Sequence, residues 1–122
     1  MNDAITRELA AAADSESPRE ERARKAAELV RASRAYRWVG IYDVGDDDVA
    51  LLAQSGVSAR EASVGTRTTI AGIARTVVPV LGAESGIAIG TLEAESGEAN
   101  AFEEPEIAFL EDCAALLRPL YD

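Results

Sequence analysis

Three polar residues, Thr91, Glu93 and Glu95, alternate with the apolar Leu92 and Ala94. Successive side chains of a strand project to opposite faces, so this spacing puts both carboxylates and the hydroxyl on one face. Two neighbouring carboxylates can hold a cationic or amide group; the competing reading is an exposed acidic strand end. Tyr36, Trp38 and Tyr42 also share a strand face and either line a pocket or fill a core, with Trp38 read as core and Tyr42 left open. Cys113 lies beside the apolar stripe of a helical pattern, the place of a small buried hydrophobe rather than a nucleophile. Asp46, Asp47 and Asp48 are consecutive and cannot converge on a cation as alternating ligands do, so they read as a solvated turn and no metal site is expected. The chain has no histidine, which removes the commonest general base and every triad that uses one. No catalytic residue is assigned and no cofactor is expected; binding or pairing fits better than catalysis.

The elements that must position these groups follow from periodicity. Ile5, Leu9 and Ala12 recur at helical spacing within residues 3 to 13. Ser17-Pro18 followed by Glu20 and Glu21 predicts a second helix to about Arg34, with serine as cap, proline in the first turn and acids facing the amino-terminal dipole. Its stripe is Ala23, Ala26, Ala27, Val30 and Ser33. From Tyr36 the period changes to two, with Tyr36, Trp38, Gly40, Tyr42 and Val44 on one side and Val39 and Ile41 on the other. Gly45 to Asp48 is turn chemistry, and residues 36 to 55 read as a hairpin. Residues 56 to 74 read as loop, with a short strand near Val64 and a helical turn around Ile70 to Ala74. A second hairpin joins Arg75 to Leu81 with Ile87 to Glu95, and Pro79 must turn its missing donor outward or lie at a bulge. Gly40 and Gly90, inside strands, signal close approach of a backbone or an aromatic ring. A last helix from about Glu103 to Leu117 carries the stripe Ile107, Leu110, Ala114, Leu117 and Tyr121.

These elements make an antiparallel α+β domain, and the 122 residues suit one core rather than two. The net charge of −10 repels a phosphate backbone, so nucleic acid is not an expected partner. No apolar run approaches the roughly 20 residues of a membrane span, and the first residues lack the pattern of a signal peptide. A cytoplasmic protein with no membrane partner is expected, and the lone Cys113 gives no sign of an oxidising compartment.

Tyr36-Arg37-Trp38-Val39-Gly40-Ile41-Tyr42, Val77-Val78-Pro79-Val80, the segment from Ile89 to Ser96, and Asn100-Ala101-Phe102 entering a helix resemble, in this order, the GAF domain family. The resemblance spans about residues 20 to 120. It implies a GAF-like antiparallel sheet of about five strands, with amino- and carboxy-terminal helices on one face and a small-molecule pocket on the other. Residues 1 to 17 are then a helical extension and residues 18 to 122 the GAF-like domain. Between the first hairpin and Arg75 this chain is shorter than typical members, which implies a pocket that is small, open or absent. In family members that reduce free methionine sulfoxide, an acidic pair at the position of Glu93 and Glu95 contacts the substrate amino group. Arg75 stands where those reductases place another acid, and their loop cysteines are missing here.

Tyr42, Arg75, Thr91, Glu93 and Glu95 form the candidate ligand-binding set, with a cationic or amine-bearing molecule as the expected ligand. The reading is a regulatory or sensory GAF-like module; the alternatives are a diverged reductase-like enzyme and a structural dimerisation unit. A homodimer through residues 3 to 34 and 103 to 121 is expected. Its grounds are a thinly covered sheet face, Ile5 and Leu9 on a helix too short to bury them alone, and an apolar arc on the last helix widened by Phe109, Leu116 and Leu120.

Overall fold

The computed structural model describes residues 3–58, 74–98 and 100–121. Their elements are α1 (Asp3–Ala13), α2 (Arg19–Arg34), β1 (Trp38–Val44), β2 (Val49–Gly56), β3 (Ala74–Leu81), β4 (Ala88–Ser96), α3 (Glu104–Leu116) and a closing 3₁₀ turn, Arg118–Tyr121. The three described helices form where periodicity predicts them, but Ser33 of the expected α2 stripe is exposed, its hydroxyl donating back to the Val30 carbonyl at 2.7 Å, and Ala13 rather than Ala12 ends the buried stripe of α1. Ser17 does not cap α2: Pro18 takes the cap position in extended backbone with no side-chain cap bond. The Ser17 carbonyl instead accepts from Arg22 Nε at 2.9 Å.

The four described strands form one antiparallel sheet in the order β2-β1-β4-β3. The expected fifth strand near Val64, with most of the loop read over residues 56 to 74 and its helical turn, lies outside the described residues. Among the described strands each hairpin supplies one central and one edge strand. Pro79 sits on the edge strand β3 and is exposed, where its missing amide hydrogen costs the ladder nothing.

The helices share one face of the sheet. There α2 crosses β1 and β2, α3 lies against β3 and β4, and α1 packs on α2, α3 and the 3₁₀ turn. Val39 and Ile41 of β1, Val78 and Val80 of β3, and Leu92 and Ala94 of β4 meet Ala23, Ala26, Ala27 and Val30 of α2 in one core. The small residues of α2 let it approach the sheet closely, as the run of alanines predicts. The buried arc of α3 and the turn after it is wider than the expected stripe, because Phe109 of α3 and Leu120 of the 3₁₀ turn are buried along with Leu110, Cys113, Ala114 and Leu117. The reason is that α3 has two partners, the sheet on one side and α1 on the other. Ile5, Leu9 and Ala13 of α1 complete that core within the chain.

Two departures concern β1. Tyr36 lies in the helix-side core rather than beside Trp38. Ala35 takes a left-handed conformation (φ 53°) that ends α2, and the strand starts only at Trp38, so the alternation does not extend back to Tyr36. The Tyr36 hydroxyl donates to Glu106, and its ring meets Phe102 with centroids 5.7 Å apart. Trp38 is buried, but on the sheet face opposite the helices and outside the main core.

Gly90 faces the helix side, where the Tyr121 ring lies directly against it and the Tyr121 hydroxyl donates to the Tyr42 carbonyl at 2.8 Å. A β-carbon on Gly90 would collide with that ring. Gly90→Ala is expected to destabilise the fold by roughly 2 kcal/mol, measured by urea denaturation, and to free the 3₁₀ turn, read as faster amide exchange at Leu120 and Tyr121.

Candidate functional site

Cross-strand pairing arranges the face opposite the helices in three rows. Running from β2 to β3 they are Leu51, Tyr42, Thr91 and Pro79; Gln54, Gly40, Glu93 and Val77; and Gly56, Trp38, Glu95 and Arg75. A bulge between Ile41 and Tyr42 brings Leu51 opposite Tyr42. Directly opposed residues on one face interact, so all five members of the candidate set lie on contiguous positions.

The bare Cα of Gly40 allows the Trp38 ring to lie along the sheet, since a β-carbon there would strike the indole. The ring meets Tyr42 edge-on, with centroids 6.4 Å apart. Trp38 Nε1 donates to Gln54 Oε1 at 2.8 Å on one side, and the Arg75 guanidinium carbon stands 4.8 Å from the ring centroid on the other. Trp38 therefore supports the candidate face itself, and the reading of it as core is corrected to that extent.

Glu93 and Glu95 do project from one face with Thr91, but they are not an exposed acidic end. The Glu95 side chain is 1% exposed and that of Glu93 11%. Arg75 pairs with both: one terminal nitrogen donates to Glu93 Oε1 and the other to Glu95 Oε2. Ser58 Oγ also donates to Glu95 Oε2, at 2.8 Å, and the Thr91 hydroxyl makes a long 3.4 Å bond to Glu93 Oε2. The place expected for a ligand's positive group is thus filled from within the chain. A buried carboxylate without compensation is strongly unfavourable, and Arg75, rather than an outside molecule, supplies the compensation here. Before folding, nothing signals this pairing except that Arg75 falls two residues ahead of the Val-Val-Pro segment. Its position opposite Glu95 depends on the β3–β4 register.

Around this polar patch the face is apolar and accessible. Val77, beside Glu93, is 52% exposed and Leu51, beside Tyr42, 45%. The Asp46 to Asp48 turn is exposed at the far end of the first hairpin, where the Gly45 amide donates to the Asp48 carbonyl at 2.8 Å. Cys113 lies on the other side of the sheet, buried in the helical layer, and burial pushes its thiol up to about 12. Among the described residues no group of histidine, cysteine or carboxylate side chains is arranged to hold a metal ion, and no helix is long and apolar enough to cross a membrane.

Replacing Arg75 with methionine keeps an unbranched apolar stem and removes the guanidinium with its charge. Arg75→Met is expected to cost about 3 kcal/mol, the usual scale for breaking a buried pair from one side. Adding Glu93→Gln and Glu95→Gln should recover a large part of that loss in the same denaturant titration. A triple variant no more stable than Arg75→Met would show that charge is not what the arginine supplies.

No family model and no curated protein matches the chain. Solved structures do. A chain described as a GAF sensor protein from Burkholderia vietnamiensis superposes with a TM-score of 0.75 at 18% identity, over 98% of this chain and 96% of that one. Free methionine-R-sulfoxide reductase from Neisseria meningitidis gives a TM-score of 0.72 at 18% identity, covering 96% and 86%. The GAF domain of an Acinetobacter phosphoenolpyruvate-protein phosphotransferase gives 0.70 at 13% identity, covering 97% and 91%. At these identities the likeness is one of fold, and the fold of this chain is GAF-like.

Proposed function

We propose that this chain is a regulatory module that binds a small molecule on the sheet face opposite the described helices rather than catalysing a reaction. The observation that carries this reading is the composition of that face: Tyr42, Leu51 and Val77 offer apolar area around a small, fixed polar group, the usual make-up of a ligand site. A catalytic reading finds less support. The single cysteine is buried behind the sheet with its thiol held protonated, and a thiolate rather than a thiol is the nucleophile.

The internal cation narrows the ligand. A molecule whose binding rests on positive charge alone competes with Arg75 for the two carboxylates. The proposed ligand covers Tyr42, Leu51 and Val77 with an apolar or aromatic part and directs one amine or amide hydrogen at Glu93 Oε2. That oxygen has a weaker bond within the chain than the one facing Arg75. A thermal-shift screen of metabolites should find ligands that raise Tm with concentration. Titration calorimetry on a hit should show roughly tenfold weaker binding for Glu93→Gln, about 1.4 kcal/mol. Unchanged affinity in that variant would move the site off this face.

Self-association is a second reading, favoured by a groove between α1, α2 and α3 lined by Ala4, Ile5, Leu29 and Phe109. Two of its original grounds have weakened, since Ile5, Leu9, Phe109 and Leu120 are buried within one chain. Light scattering after gel filtration should give a dimer mass at micromolar concentration, and Leu29→Glu should reduce it to the monomer. A monomer mass in the unaltered chain would remove this reading.

A further inference from the structure

Arg75 is held as a bound guanidinium ligand would be. Each of its two terminal nitrogens has a carboxylate of its own, Glu93 for one and Glu95 for the other. Its carbon stands 4.8 Å from the Trp38 ring centroid, within cation–π range. Glu95 is anchored in turn by the Ser58 hydroxyl at 2.8 Å. A planar fork against paired carboxylates and an aromatic face is the arrangement in which guanidinium exceeds ammonium as a partner.

The walls and the occupant of this arrangement come from different places in the sheet. Glu93 and Glu95 lie on β4 and Trp38 on β1, the two central strands, whereas Arg75 enters from the edge strand β3. The Trp38 ring is set by Gly40 beneath it and by Gln54 beside it, neither of which involves Arg75. The walls are therefore held by β1 and β4 with support from Gln54 of β2 and Ser58 just after it, and Arg75 is not among these supports.

We propose that Glu93, Glu95 and Trp38 form a guanidinium-binding box that Arg75 occupies as a tethered ligand. The unaltered chain excludes outside cations from the box, and a chain without that side chain accepts a free alkylguanidinium in its place. Tethering gives Arg75 an effective concentration of millimolar or above, so micromolar cations do not displace it. The box does not depend on the ligand proposed above, which meets the outward oxygen of Glu93 and the apolar residues around it.

The test uses the full chain carrying Arg75→Ala, titrated with methylguanidinium and, at equal ionic strength, with methylammonium, which cannot bridge two carboxylates through separate nitrogens. The expected result is saturable methylguanidinium binding with a Kd at least about tenfold lower than for the unaltered chain. Methylammonium should bind more weakly, and adding Glu95→Gln should abolish the binding. A folded Arg75→Ala with no preference for methylguanidinium, or an unaltered chain that binds it as tightly, would overturn the proposal. If Arg75→Ala does not fold alone, refolding in each cation decides: recovery selective for methylguanidinium supports the box, and equal recovery or none overturns it. A ligand screen on the unaltered chain can fail without touching this result, and the reverse also holds.

Discussion

Glu95 carries its carboxylate to 1% exposure near the end of the central strand β4, and burial of a charge on this scale must be compensated locally. The compensation comes from both ends of the segment between β2 and β3: Ser58 from just after β2 and Arg75 from the second residue of β3. Placing them there requires the pairing of Arg75 with Glu95 across β3 and β4. A slip of one residue would send Arg75 to the helix side and take its guanidinium away from both carboxylates. The ion cluster and the apolar alternation of Val78 and Val80 thus select the same register for an edge strand that has only one neighbour among the described strands.

Two aromatic rings lying on glycines hold the two faces in relation to each other. Trp38 rests over Gly40 on the open face, and Tyr121 rests against Gly90 on the helix face. The Tyr121 hydroxyl reaches the Tyr42 carbonyl, so the closing turn of the chain is bonded to the strand that carries Trp38 and Tyr42. Arg19 ties the same corner to the start of α2, pairing with Asp43 and donating to the Leu120 carbonyl at 2.6 Å. The Asp43 bond raises the Arg19 pKa above its ordinary value. Ion pairs as exposed as this one contribute little to stability, and its role is to fix orientation where helix, strand and terminal turn meet.

The division of labour across the sheet follows from these contacts. The helix side carries the continuous apolar core, including Cys113. The open side carries a polar triad, one buried indole and an apolar margin. The described helices gather on one side of the GAF-like sheet, and on the other the polar centre is paired within the chain by Arg75 and Ser58.

Local pattern was enough to read the described helices and strands and most of their faces in this sequence. The helical spacing of Ile5 and Leu9, the alternation of Thr91, Glu93 and Glu95 with Leu92 and Ala94, and the glycines of both hairpins act over a few residues, where periodicity is set by backbone geometry alone. The same holds for Gly40 and Gly90 as places where a ring comes close, although neither glycine names its ring. The burial of the acidic pair, the identity of its counter-charge and the side of the sheet taken by Tyr36 were decided only by tertiary structure. Each depends on a contact between residues far apart in the chain or on one backbone angle, and no local period reports either. A carboxylate at the end of a strand looks alike whether it meets water or an arginine, and only the register of β3 against β4 settles which.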